Sequence, residues 1–206
     1  RIQRYAEPIL IHLYSEVLQK FRLAAQGKGL SRKPSAHLKQ RLETYFDPLP
    51  FYYEPLEAQQ ADRAKYPLNA VTQRPMAMYH SWDSQNAWLR QIHTHNHLFV
   101  NPGVARAAGI EDGGWMWVES QWGKVRCLCS YSEAVEPGTV WTWNAIGKTP
   151  GAWRLSPDAN ESQRGFLLNH LISEELPGGS AGGTISNSDT VPGQAAWYDV
   201  RVRIYR

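Results

Sequence analysis

Between Tyr66 and Cys129 the chain reads as four short strands, each ended by turn chemistry, and this punctuation constrains the fold more than any other feature. Tyr66 to Val71 is an apolar run of strand length. Thr72-Gln73-Arg74-Pro75 then turns the chain, and an aromatic, polar segment leads to His80-Ser81. Leu98-Phe99-Val100 is a second strand. Asn101-Pro102 opens a short Ala-rich helix whose buried face is Val104, Ala107 and Ala108, and Gly109 suits the position just past its end. Asp112-Gly113-Gly114 leads into a third strand, Trp115 to Glu119, and Gln121 to Gly123 turns it into a fourth, Lys124 to Cys129. Gly113 and Gly123 stand where a turn between strands calls for positive φ.

The flanks are less regular. Ile9, Leu13, Val17 and Phe21 recur with partial helical spacing, Gly27, Gly29 and Pro34 interrupt it, and Ala36 to Leu42 suits a helical turn or two. Phe46 to Pro55, FDPLPFYYEP, is proline-rich and aromatic and predicts an extended, irregular segment. Glu57 to Lys65 is polar with interspersed Ala and reads as surface. A short helix is expected within Trp82 to Ile92, and a strand over Val135 to Asn144 at the Glu136-Pro137-Gly138 turn. Lys148 to Ser162 reads as loop, Gly165 to Leu176 as a short helix and Gly178 to Gly183 as a flexible tract. Ala195 to Tyr205 closes the chain as a strand, with Tyr198, Val200, Val202 and Ile204 on one face.

A length of 206 residues allows one substantial domain or two small ones. The chain starts at Arg1 with no signal-like segment, which suggests a fragment or a processed product. No apolar run approaches the ~20 residues that span a bilayer. The net charge of +3 is scattered, without the dense basic stripe of a nucleic-acid footprint, and suits an anionic cofactor. Nine Trp supply packing and faces for flat heterocycles. The two cysteines, Cys127 and Cys129, share one strand face. They are too few for an iron–sulfur cluster and read as buried core thiols. No P-loop, nucleophile elbow or GxGxxG is present. Glu174 and Glu175, adjacent on the expected helix, face apart and read as surface.

Chemistry concentrates in one run. Thr72, Arg74, His80 and Ser81 put hydroxyls, a guanidinium and an imidazole within ten positions, a set suited to a pyrophosphate. His93, His95 and His97 on a strand would put three imidazoles on one face, the pattern of a zinc triad. No carboxylate or thiolate lies near in sequence to complete it, so solvated histidines are the preferred reading.

Four pieces in order carry a family resemblance: Thr72-x-Arg74 leading to His80-Ser81, Val100-Asn101-Pro102 before Ala105, Gly109-Ile110-x-Asp112-Gly113, and Glu136-Pro137-Gly138 before an aromatic strand. Together they resemble the molybdopterin-dinucleotide-binding domain, the C-terminal domain of the large subunit in the dimethyl sulfoxide reductase family. The resemblance implies a mainly β fold with short helices, a six-stranded double-psi β-barrel over residues 66–206. Residues 1–65 would be the tail of a preceding domain and an irregular, partly helical linker. It implies bis(molybdopterin guanine dinucleotide) with Mo or W as cofactor. Thr72, Gln73, Arg74, His80, Ser81, Asn101, Asn169 and Tyr198 are the implied cofactor-binding residues, with Asn187 a rival to Asn169. Asn101 is equally well explained as a helix cap.

The implied enzyme is a molybdenum or tungsten oxidoreductase, inactive as this segment alone. The segments FYYEP, GQAAWYD and GFLLNHLI look most like the sulfite dehydrogenase and polysulfide or thiosulfate reductase branch. Implied partners are the rest of the catalytic subunit, itself holding an iron–sulfur cluster, a membrane anchor, and an iron–sulfur electron-transfer subunit. The implied location is the cytoplasmic or periplasmic face of a prokaryotic membrane. Two alternatives remain open: a stand-alone, non-catalytic barrel subunit of such an enzyme, and a zinc hydrolase built on the three histidines.

Overall fold

The structure is a computed structural model that describes residues 14–29, 33–79, 82–83, 86–93, 96–144, 146, 168–178, 182–195 and 200–206. The chain divides into two compact units, residues 1–54 with 189–194, and residues 55–188 with 195–206.

The first unit holds α1 (Glu16–Ala25) and α2 (Ala36–Tyr45). Ser15 and Ser35 cap them, each hydroxyl accepting from the backbone N–H three residues on. Arg22 donates to the Asp47 carboxylate at 2.8 Å and to the Glu43 carbonyl at 2.9 Å. The returning segment is held by Arg41, which donates to the carbonyls of Asp189 and Thr190, and by the Tyr53 hydroxyl on Asp189 at 2.8 Å.

The second unit contains α3 (Leu56–Gln60), β1 (Leu68–Gln73), α4 (Ala87–Ile92), β2 (His97–Val100), α5 (Pro102–Ala107), β3 (Trp115–Glu119), β4 (Lys124–Tyr131), β5 (Thr139–Trp143), a 3₁₀ turn (Leu168–Leu171), β6 (Glu175–Pro177), β7 (Thr184–Ser186) and β8 (Val200–Tyr205). Six strands close into a barrel in the order β1-β5-β2-β4-β3-β8, while β6 and β7 form a separate two-stranded sheet. The β1–β5 and β2–β4 pairs are parallel, and the other four barrel pairings are antiparallel. This is the mainly β, six-stranded barrel with short helices that the resemblance implied.

Period-2 alternation builds the core. On β4, Val125, Cys127 and Cys129 point inward and Lys124 and Arg126 outward. Leu98, Val100, Val118, Val140 and Val202 are fully buried in the same cluster. Each such side chain contributes about 1.5–3 kcal/mol of transfer free energy. Closure leaves the barrel no free edge.

Register also fixes what lies at each mouth. One mouth collects the C-terminal ends of β1, β3 and β5 and the starts of β2, β4 and β8. The other collects the ends of β2, β4 and β8 and the starts of β1, β3 and β5.

Several sequence expectations need correction. Glu57, read as surface, is 2% exposed, because its carboxylate accepts from Trp122 Nε1 at 2.7 Å and Asn187 Nδ2 at 2.8 Å. The helix expected over Gly165 to Leu176 is one 3₁₀ turn followed by β6, and the part before Leu168 lies outside the described residues. Glu175 to Pro177 is drawn into a strand by its pairing with β7, and Pro177 could not continue a helix. Gly113 adopts the expected positive φ of 71°, but Gly123 does not. A Cβ on Gly123 would meet the His170 carbonyl oxygen at 2.4 Å, so close approach is what requires glycine there.

Candidate functional site

At the first mouth the barrel interior changes from apolar to polar. The inward residues of β1 run Leu68, Ala70, Thr72, and those of β5 run Val140, Thr142, followed by Asn144 just past the strand. Thr142 pairs with Thr72 in parallel register. Asn144 is held beside the end of β1 by its backbone N–H, which donates to the Gln73 carbonyl at 2.8 Å.

This polar layer is half satisfied. The Thr142 hydroxyl lies 2.9 Å from Asn96 Oδ1 and 2.7 Å from the His97 carbonyl oxygen. Asn96 Nδ2 donates to the Trp143 carbonyl at 2.8 Å. Among the described residues, Thr72 Oγ1 and both polar side-chain atoms of Asn144 are buried with no hydrogen-bond partner, and Gln121 Nε2, on the β3–β4 turn at this mouth, shares that state. Leaving such a group unpaired costs about 1–3 kcal/mol. Most buried polar groups in native proteins are paired, so each exception calls for an explanation, and a bound ligand or water is one.

The expected site residues separate by position. Thr72 and Gln73 end β1, and Arg74 follows them with its side chain exposed. Asn169 lies exposed on the 3₁₀ turn. That turn is tied to the same mouth by the Ser120 hydroxyl, which donates to the Leu171 carbonyl at 2.7 Å. Asn101 is at the opposite mouth. Its Oδ1 accepts from the Gly103 N–H at 3.0 Å and caps α5, while its Nδ2 donates to the Val135 carbonyl at 3.0 Å and ties the cap to the β4–β5 connection. Asn187 donates to Glu57 and to the Ser173 carbonyl. His80, Ser81 and Tyr198 lie outside the described residues.

The three histidines do not share a strand. His93 follows α4, His97 begins β2, and His95 lies outside the described residues. The His93 ring packs against Trp143 at 5.4 Å and the His97 ring against Phe99 at 6.4 Å. Burial pushes the His97 imidazole below its ordinary pKa range, which favours the neutral form. Among the described residues no group of three or more metal-ligating side chains converges. Both cysteines are free and fully buried, and burial pushes the Cys129 thiol up to about 11 and Cys127 higher still.

Sequence reasoning missed Asn144. Its signal was the inward alternation Val140, Thr142, Asn144, which carries an amide into the barrel mouth.

Comparison with known proteins gives a consistent picture. The family model of the molydopterin dinucleotide binding domain matches residues 68–186. The chain is 71% identical over 203 residues to a sulfite dehydrogenase subunit of Allochromatium vinosum, covering 98% of this chain and 21% of that protein. It is 32% identical over 151 residues to dopamine dehydroxylase of Eggerthella lenta, covering 70% of this chain and 14% of that one. Acetylene hydratase from Pelobacter acetylenicus superposes with a TM-score of 0.57 at 22% identity, over 80% of this chain and 22% of that one, a likeness of fold. The chain spans about a fifth of the length of the sulfite dehydrogenase subunit.

Proposed function

The chain belongs to the molydopterin dinucleotide binding domain family, and on that premise we propose that it is the cofactor-holding C-terminal part of the catalytic subunit of a molybdenum or tungsten oxidoreductase. The observation that carries the reading is the half-satisfied polar layer at the β1–β5 mouth. Among the described residues Thr72 Oγ1 and the Asn144 amide are buried and unpaired, the first near the end of the strand that leads into Arg74 and the second beside it. Such a layer fits a ligand rich in hydrogen-bonding groups and does not fit an apolar one.

In the bound state the Thr72 hydroxyl and Gln73 amide hold the ligand at the end of β1, and the Arg74 guanidinium contributes a charge-assisted fork to its phosphates. Asn169 approaches from the 3₁₀ turn, the run after Arg74 adds His80 and Ser81, and the closing segment adds Tyr198. Asn101 is assigned to helix capping and left out. The bis(molybdopterin guanine dinucleotide) supplies the metal-centred redox chemistry when bound, and the protein supplies placement and charge.

The 71% identity to a sulfite dehydrogenase subunit supports a sulfur oxyanion as substrate. It also favours a catalytic subunit over a stand-alone barrel subunit, since nearly the whole chain aligns within one long protein. The same reading brings an iron–sulfur cluster in the rest of the subunit, an iron–sulfur electron-transfer partner, and attachment through partners to a prokaryotic membrane. Met76, Trp82, Trp88 and Ile92, exposed in the stretch that follows Arg74, suit burial against further protein.

Arg74→Ala in the whole subunit tests the site. A charge-assisted contact is worth about 1.5–3 kcal/mol, so molybdenum and guanine nucleotide per subunit should fall after mild denaturant washing. Unchanged content of both would refute the assignment.

A further inference from the structure

Resting on the reading above, we infer that Asn144 recognises the flat heterocycle of the dinucleotide, its carboxamide pairing with one N–H donor and one carbonyl acceptor that lie side by side on a lactam edge. Pterin and guanine both carry such an edge.

Asn144 is 3% exposed, and among the described residues its Oδ1 and Nδ2 both lack a partner. The mouth is not poor in partners, because Asn96 and Thr142 in the same layer satisfy one another and the adjacent carbonyls. The Asn144 backbone is fixed by its hydrogen bond to Gln73, so the amide is presented from a held position. A carboxamide displays one acceptor and donors in a single plane.

The pattern of donors and acceptors then selects among ligand groups. A phosphate offers only acceptors and would leave Oδ1 unpaired. A metal ion would take Oδ1 and leave Nδ2 unpaired. A lactam edge satisfies both at once, by the same complementarity that lets asparagine read a base edge. The Thr72 hydroxyl on the neighbouring strand β1 rotates to donate or accept and completes the layer.

The test uses the whole protein that carries this chain, in cofactor-loaded and cofactor-free forms, with Asn144→Leu. In the loaded form, release of molybdenum and guanine nucleotide at a fixed sub-denaturing urea concentration should speed up roughly tenfold to a hundredfold, the loss of two hydrogen bonds. In the cofactor-free form the melting temperature should hold or rise, because the substitution removes an unpaired buried amide. A residue needed only for folding would lower that melting temperature, and this result overturns the inference. Unchanged release also overturns it and leaves a bridging water as the occupant of the amide.

Arg74→Ala run in parallel separates the two levels. Faster release in Arg74→Ala but not in Asn144→Leu refutes the role of Asn144 alone. No change in either refutes the cofactor site itself. Should Leu fail to fold, Asn144→Ala, which cannot overfill the position, is read by the same criteria. Binding of GDP to the cofactor-free protein then locates the edge. Weaker GDP binding in the variant supports recognition of the guanine; unchanged GDP binding with faster cofactor release supports recognition of the pterin.

Discussion

Gly113, in the turn from α5 into β3, and Gly123, in the turn from β3 into β4, are each required for a different physical reason. Gly113 has a φ of 71°, where an L side chain is strained. Gly123 has an ordinary φ but faces the His170 carbonyl oxygen, which a Cβ would meet at 2.4 Å. Gly123→Ala must therefore displace backbone of the 3₁₀ turn, and overpacking of this kind costs about 1–3 kcal/mol. A urea unfolding curve should show the loss as a lower midpoint with an unchanged slope. An unchanged midpoint would mean that the turn yields freely. Both glycines are visible in the sequence as turn residues, but only the first reason is local. The partner of Gly123 is brought in by the fold, so no reading of neighbouring residues contains it. The same holds at Glu57, where a lone acid in a polar stretch gives no sign that Trp122 and Asn187 will close over it. Asn144 differs, because carrying the strand alternation one step further would have found it.

At the scale of elements, that Glu57 carboxylate is a clasp. It joins α3 to the β3–β4 turn through Trp122 and to the end of the β6–β7 hairpin through Asn187. Ser120 in the same turn donates to Leu171, and Gln60 of α3 donates to the Pro177 carbonyl of β6 at 2.9 Å. Glu57→Ala removes the shared acceptor and leaves the Trp122 indole N–H and one Asn187 N–H without it. Leaving a neutral donor without its acceptor costs about 1–3 kcal/mol, so the variant should unfold at lower urea. Hydrogen exchange should further show the loss in the β3–β4 turn and in β6–β7 more than in β2. A uniform loss across all strands would show that the clasp acts on the barrel as a whole. The barrel strands themselves were legible because turn residues bound them: Trp115 to Glu119 stands where the sequence put it. The end of the helix expected over Gly165 to Leu176 was misread because β6 is set by pairing with β7, a partner that no local period reveals.

At the scale of the whole molecule, the closed barrel has a consequence for cooperativity that the two cysteines can report. Cys127 and Cys129 are fully buried on the inward face of β4, between β2 and β3. Burial raises both thiol pKa values, Cys129 to about 11, so at neutral pH the reactive thiolate is scarce even before access is considered. A sheet with open edges would let an outer strand fray and expose its thiols early. In a barrel each strand is paired on both sides, and β4 can open only by losing β2 or β3. Alkylation of the native chain with iodoacetamide should therefore be slow at both positions. Its rate should rise with urea along the slope of global unfolding, with the same apparent free energy for each thiol. Since the chain holds only these two cysteines, the readout is unambiguous. Rapid, urea-insensitive modification of either one would show local opening of β4, and closure of the barrel would then fail as the source of its cooperativity.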